Sequence, residues 1–164
     1  MPNIVLIGMS GCGKTTLGKL LSRELGFLFL DTDAMIEQQG YDIRRVFAEQ
    51  GEPFFRDLEY QACCQAAQHK NCVIAAGGGA VTQLRTMEAL SKNALVVYLK
   101  RDLEKILQSA DRGSRPLFTS EEKIARLFSE RQRLYEVYAD FTVENNQTPQ
   151  EGLQALLSVL HTGR

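Results

Sequence analysis

Short apolar runs alternate along this chain with segments whose apolar residues recur every three or four positions. Asn3-Ile4-Val5-Leu6-Ile7 is a β-branched run ending at Gly8, which reads as a buried strand. Residues 14–25 put Leu17, Leu20, Leu21 and Leu25 on an amphipathic helix that stops at Gly26. Phe27-Leu28-Phe29-Leu30 reads as a second buried strand, stopping at Asp31. One or two short helices, broken near Gly40, are expected over 34–50. A longer one follows from about Pro53 to His69, with Phe55, Leu58, Ala62 and Ala66 on one face. Cys72–Ala75 and Ala94–Leu99 read as strands three and four, and Asp102–Ser109 as a short helix. A helix over Glu121–Tyr138, a strand over Phe141–Val143 and a last helix over Pro149–His161 complete the pattern.

Buried strands alternating with helices imply an α/β fold whose parallel sheet is covered on both faces. Ligands of such sheets bind beyond the carboxyl ends of the strands. The polar clusters at Gly8, Asp31 and Gly77 each follow a strand directly, so they are expected to meet on one rim.

Size and composition narrow the possibilities. The 164 residues suit one domain, and 44% apolar with 24% charged residues suits a packed core. A formal net charge of −1 argues against a protein whose main work is binding nucleic acid. No apolar run approaches the roughly 18–20 residues of a membrane span. The first seven residues lack the basic start and cleavage site of a signal peptide. Cys12, Cys63, Cys64 and Cys72 include no CxxC pair, so reduced thiols in a cytoplasmic protein are expected.

The most specific chemistry lies at Gly8-Met9-Ser10-Gly11-Cys12-Gly13-Lys14-Thr15, a full GxxxxGK[ST] match placed between a strand and a helix. Glycines let the backbone curl so that several N–H groups point at one anion, and the helix start adds its positive end. Gly11, Cys12, Gly13, Lys14, Thr15 and Thr16 are the expected surface for ATP phosphates, with Lys14 on the β- and γ-phosphates and the Thr15 hydroxyl on Mg²⁺. Cys12 occupies a free position of the motif, where its thiol is expected to be susceptible to oxidation.

This motif leaves switch, motor and kinase open. The Asn-Lys-x-Asp guanine signature of GTPases does not occur. Asp31-Thr32-Asp33 after strand two suits a kinase: Asp31 can hold hydrated Mg²⁺, and Asp33 can orient an acceptor hydroxyl and take its proton. Alternatively, both carboxylates merely cap the next helix.

The arginines suggest an anionic acceptor. Arg131 falls three, four and seven residues after Phe128, Leu127 and Ile124, so it projects from the inward face of its helix, whereas Arg126 and Arg133 lie outward. A guanidinium near a core needs an anion, either a protein carboxylate or a bidentate substrate carboxylate. Arg56 shares a stripe with Tyr60, Cys63 and Ala67 and poses the same alternative. Arg112 and Arg115 lie in a basic loop, either solvated or able to close over transferring phosphate. Gly77, Gly78 and Gly79 permit close backbone approach and read as a wall of the acceptor pocket.

Together, GMSGCGKTT, DTD at 31–33, GEPFFRDLE at 51–59, AAGGGAV at 75–81, RGSRPLF at 112–118 and RQRLY at 131–135 closely resemble shikimate kinase, across essentially the whole chain. The resemblance implies a nucleoside-monophosphate-kinase-like three-layer sandwich with a five-stranded parallel sheet. It implies ATP-dependent phosphorylation of the 3-hydroxyl of shikimate, on the route to chorismate and aromatic amino acids. It also implies one Mg²⁺ per subunit, with ATP and shikimate as the partners of a monomer. By the same resemblance Asp33 binds the acceptor hydroxyls, Arg56 and Arg131 hold the carboxylate, and Gly78 contacts shikimate. Arg115 serves ATP and the transferred phosphate, Arg112 flanks adenine, and Gln147 sits in the adenine loop. Residues 1–164 form one domain, with an acceptor segment at about 32–61 and a lid at about 110–120. A gluconate kinase and a nucleotide-dependent switch are the rival readings.

Overall fold

Strand β1 (Asn3–Ile7) is buried at every position and lies at the centre of the sheet. It is apolar without alternation because helices cover both faces. The other strands are β2 (Leu28–Asp31), β3 (Cys72–Ala75), β4 (Ala94–Lys100) and β5 (Phe141–Glu144). The order is β2-β3-β1-β4-β5 and all pairings are parallel, with Val5 opposite Ile74 on one side and Val96 on the other. The computed structural model describes residues 1–109 and 120–163. The expected lid, with Arg112 and Arg115, therefore lies outside the described residues apart from Ser120.

The helices are α1 (Lys14–Leu25), α2 (Thr32–Gln38), α3 (Ile43–Glu49), α4 (Glu52–Gln68), α5 (Leu84–Ser91), α6 (Leu103–Ser109), α7 (Glu121–Tyr138) and α8 (Pro149–Thr162). On β1, Val5 and Ile7 face a core built with Cys63 and Ala66 of α4, Met87 of α5 and Ile124 of α7. Ile4 and Leu6 face the opposite core, with Leu17 and Leu21 of α1 and Leu156 of α8. A third, smaller cluster of Ile36, Val46, Phe55, Leu58 and Ala62 holds α2, α3 and α4 together. No described helix is long and apolar enough to cross a membrane.

Local signals explain most boundaries. Gly26 ends α1 in a left-handed conformation (φ 67°) and donates its N–H to Arg23 O. Asp31, Asp42 and Ser120 cap α2, α3 and α7 through side-chain oxygens, and Thr148 with Glu151 forms a capping box on α8.

Two expectations change. Strand β2 is not buried: it is an edge strand paired only with β3, and Leu28 is 49% exposed. Residues 80–93, to which the pattern assigns no element, form a short 3₁₀ turn (Ala80–Thr82) followed by α5. Helix α5 turns only Thr86, Met87 and Leu90 inward, and one of these is polar, so its apolar stripe is too thin to read.

Candidate active site

The loop after β1 and the start of α1 form an anion cradle. Gly13 is the N-cap of α1 in a left-handed conformation (φ 103°) and offers no side-chain acceptor. The first N–H groups of α1 are therefore not consumed by a cap. Lys14 is buried, and its ammonium donates to Gly8 O (2.6 Å) and Met9 O (2.9 Å), which holds it across the loop.

Asp31 caps α2, one of the alternatives its sequence position leaves open, and still has a carboxylate oxygen turned to Thr15. One carboxylate oxygen accepts the N–H of Ala34 at 3.1 Å and caps α2. The other accepts the Thr15 hydroxyl at 3.2 Å. A hydroxyl and a carboxylate side by side on a polar rim are hard oxygen donors of the kind Mg²⁺ takes while retaining water and phosphate ligands, so these residues fit that ion.

A cavity of about 280 Å³ opens here, lined by Gly11, Gly13, Lys14, Thr15, Thr16, Asp31, Asp33, Gly77 and Gly78, together with Ser10, Ala75, Ala76 and Ser109. Residues from β1, β2, β3 and their following loops thus meet on one rim. Cys12 does not share the cavity: its thiol is fully buried beside Leu17 and Leu99, and its N–H donates to Met9 O. The expected susceptibility to oxidation does not hold, because burial denies an oxidant access to the sulfur.

The acceptor side is built around a buried charge cluster. Arg56, 5% exposed, pairs with Glu59 at 2.8 Å and with Glu52 at 3.0 Å. Burial pushes the Glu59 carboxyl up and nearby Asp33 adds to the shift, while Arg56 and Arg131 oppose it. Arg56 therefore has protein partners, whereas Arg131 has no salt bridge among the described residues. Arg131 is 7% exposed and lies one turn before Tyr135 on α7, close enough for its charge to oppose the upward push of burial on that phenol.

The glycine run fits against these groups. A Cβ on Gly79 would come within 2.6 Å of the Arg56 guanidinium, and one on Gly77 within 2.6 Å of Glu59 and 3.0 Å of Asp33. Only glycine gives that approach. Gly78 presents its carbonyl to the Tyr135 hydroxyl at 2.6 Å. The fully buried Thr32 accepts the Gly77 N–H at 3.2 Å, so the Asp31–Asp33 turn and the glycine run are fastened to each other.

Gln147 is exposed on the loop after β5. Three residues that the structure places against the site have no assigned role in the sequence reading. Glu59 and Tyr135 were within reach, at i+3 from Arg56 and i+4 from Arg131, since such pairs share a helix face. Asn145, which reaches back to Cys12 O at 2.8 Å, had no local signal.

The family model for shikimate kinase matches residues 10–161. The chain belongs to the shikimate kinase family. A shikimate kinase of Clostridium botulinum (strain Alaska E43) is 38% identical over 158 residues, covering 96% of each chain. One from Moorella thermoacetica is 42% identical over 148 residues, covering 88% of this chain and 85% of the relative. The structure of shikimate kinase from Acinetobacter baumannii in complex with shikimate superposes with a TM-score of 0.95 at 36% identity, over 100% of this chain and 95% of that one. A gluconokinase from Sinorhizobium meliloti shares the fold (TM-score 0.65, 15% identity, over 98% of this chain and 93% of that one). The family likeness thus runs through the cradle, the glycine wall and α7.

Proposed function

We propose that this protein transfers the γ-phosphoryl group of ATP to the 3-hydroxyl of shikimate, giving shikimate 3-phosphate and ADP on the route to chorismate. The observation that carries the reading is Arg131. It is a buried guanidinium without a salt bridge among the described residues, on the acceptor side of a phosphate cradle. A buried cation calls for an anion, and a planar fork matches a carboxylate. Membership of the family and the likeness to the shikimate-bound Acinetobacter structure support the same substrate.

In this reading Gly11, Gly13, Lys14, Thr15 and Thr16 hold the ATP phosphates. Arg131, with Arg56 beside it, clamps the shikimate carboxylate. Asp33 and the wall of Gly77, Gly78 and Gly79 hold the ring hydroxyls. Asp33 accepts the proton of the attacking hydroxyl as a new O–P bond forms and the bond from γ-phosphorus to ADP breaks. Lys14 offsets the charge on the moving group, and Arg115 does so from the lid. Arg112 and Gln147 flank adenine. Mg²⁺, which Thr15 and, through water, Asp31 would hold, supplies charge neutralisation at the phosphate oxygens. Fixing the acceptor by a carboxylate remote from the reacting hydroxyl supplies orientation, a large part of what such a reaction needs. We place the enzyme in the cytoplasm as a monomer.

ADP release measured with shikimate, gluconate and nucleoside monophosphates as acceptors tests the assignment. Shikimate alone should drive turnover. Release driven by gluconate instead, or slow release indifferent to any acceptor, overturns it.

A further inference from the structure

The loop after β5 contains a side chain that grips the phosphate cradle from outside. Asn145 is 5% exposed. Its backbone is fixed from both sides, the N–H donating to Lys100 O at 2.8 Å and the carbonyl accepting from Arg101 Nη1 at 2.9 Å. From that anchor the side-chain amide donates to Cys12 O at 2.8 Å, across 133 positions of sequence.

The peptide joining Cys12 to Gly13 is planar and trans, so its C=O and N–H point in opposite directions. A donor that holds Cys12 O on the outer side therefore sets the direction of the Gly13 N–H on the inner side. Gly13 lines the cavity, and N–H groups of such a loop are what cradle phosphate.

The space around Asn145 is made by two glycines from different elements. A Cβ on Gly13 would collide with Asn145 Nδ2. A Cβ on Gly152 would stand 2.7 Å from Asn145 Oδ1. Gly152 is a buried position inside α8, and glycine is the poorest helix former after proline.

We propose that Asn145 is a positioning residue for nucleotide binding: its amide aims the Cys12–Gly13 peptide at the phosphates, and Gly152 is kept small to make room for it. This inference rests on the reading of the cavity as an ATP site. Asn145 touches no phosphate in this scheme; it acts through the loop backbone.

The test is calorimetric titration of the full chain with ADP, alongside the KM for shikimate and the melting temperature. Asn145→Asp keeps the side chain's shape but turns an acceptor toward Cys12 O. It should weaken ADP tenfold or more and leave the shikimate KM within twofold. Gly152→Ala, remote from the ligand, should weaken ADP in the parent and add nothing in an Asn145→Ala background. This variant also serves should Asn145→Asp fail to fold. ADP affinity within twofold of the parent in a folded Asn145→Asp overturns the proposal, whatever its melting temperature. So does an undiminished Gly152→Ala effect in the Asn145→Ala background, because Gly152 would then serve only its packing against Leu17. If the unaltered protein binds no ADP, the ATP reading itself fails, and that outcome is distinct from the other two.

Discussion

The Tyr135 hydroxyl joins two parts of the acceptor wall. It donates to the Gly78 carbonyl at 2.6 Å, and so ties the glycine wall to α7 one turn beyond Arg131. A buried phenol thus fixes the glycine wall against the helix that carries the guanidinium. Tyr135→Phe removes the donor and leaves the Gly78 carbonyl buried without it, a loss of about 1–3 kcal/mol. The KM for shikimate should rise several-fold while that for ATP stays put. Steady-state kinetics with each substrate varied will decide, and an unchanged shikimate KM would remove Tyr135 from the acceptor site.

Arg131 makes no salt bridge among the described residues, and Glu59, whose carboxyl feels its charge, is paired with Arg56. Arg131→Ala strips a buried charge pair of one member once substrate is bound, which costs about 2 kcal/mol or more, or roughly thirtyfold in shikimate KM. Arg131→Lys should recover only part of this, since an ammonium lacks the two-pronged fork. Equal effects on the KM values of ATP and shikimate would contradict the carboxylate role.

Asp33 lies in the first turn of α2 and lines the cavity near Gly77. Asp33→Asn keeps the shape and loses the base, so turnover should fall about 10²–10⁴-fold with ADP affinity retained. Near-normal turnover in this variant would show that the hydroxyl proton leaves by another path.

Alkaline stability should carry the imprint of the stacked tyrosines. Tyr98 and Tyr135 lie with ring centroids 5.1 Å apart, and burial pushes the Tyr98 phenol up to about 12 and Tyr135 up as well. An unfolded tyrosine ionises near its ordinary value of 10.0, so above that pH the folded chain binds more protons than the unfolded one. Stability must then fall as pH rises from about 10 toward 12. Tyr98→Phe should flatten that decline when urea midpoints are followed across the window. A decline equally steep in parent and variant would mean that Tyr98 is not a contributor.

Several features of this fold are written in contiguous residues. The β-branched run at 3–7, the glycine at 26 and the stripe through Ile124, Leu127 and Phe128 locate β1, α1 and α7, because backbone preference and helical period act over a few residues. The inward course of Arg131 follows from the same period. The exposure of β2 does not, since edge or centre is decided by which strand pairs with which. The partners of Arg56, at i−4 and i+3, lie at legible spacings, but only the packed structure distinguishes them from a substrate carboxylate. The bond from Asn145 to Cys12 lies beyond any local rule, because it depends on β4 bringing residues 100 and 101 beside 145.

The five-residue cluster of Ile36, Val46, Phe55, Leu58 and Ala62 makes the crossover between β2 and β3 a cassette with its own centre. On the proposed reading this cassette carries two of the acceptor's contacts, Asp33 and Arg56, while the cradle belongs to β1 and α1. Substitutions in that one stretch of the chain can then reshape part of the acceptor pocket and leave the triphosphate geometry untouched. In this architecture the grip on the nucleotide is inherited apart from that share of the acceptor pocket.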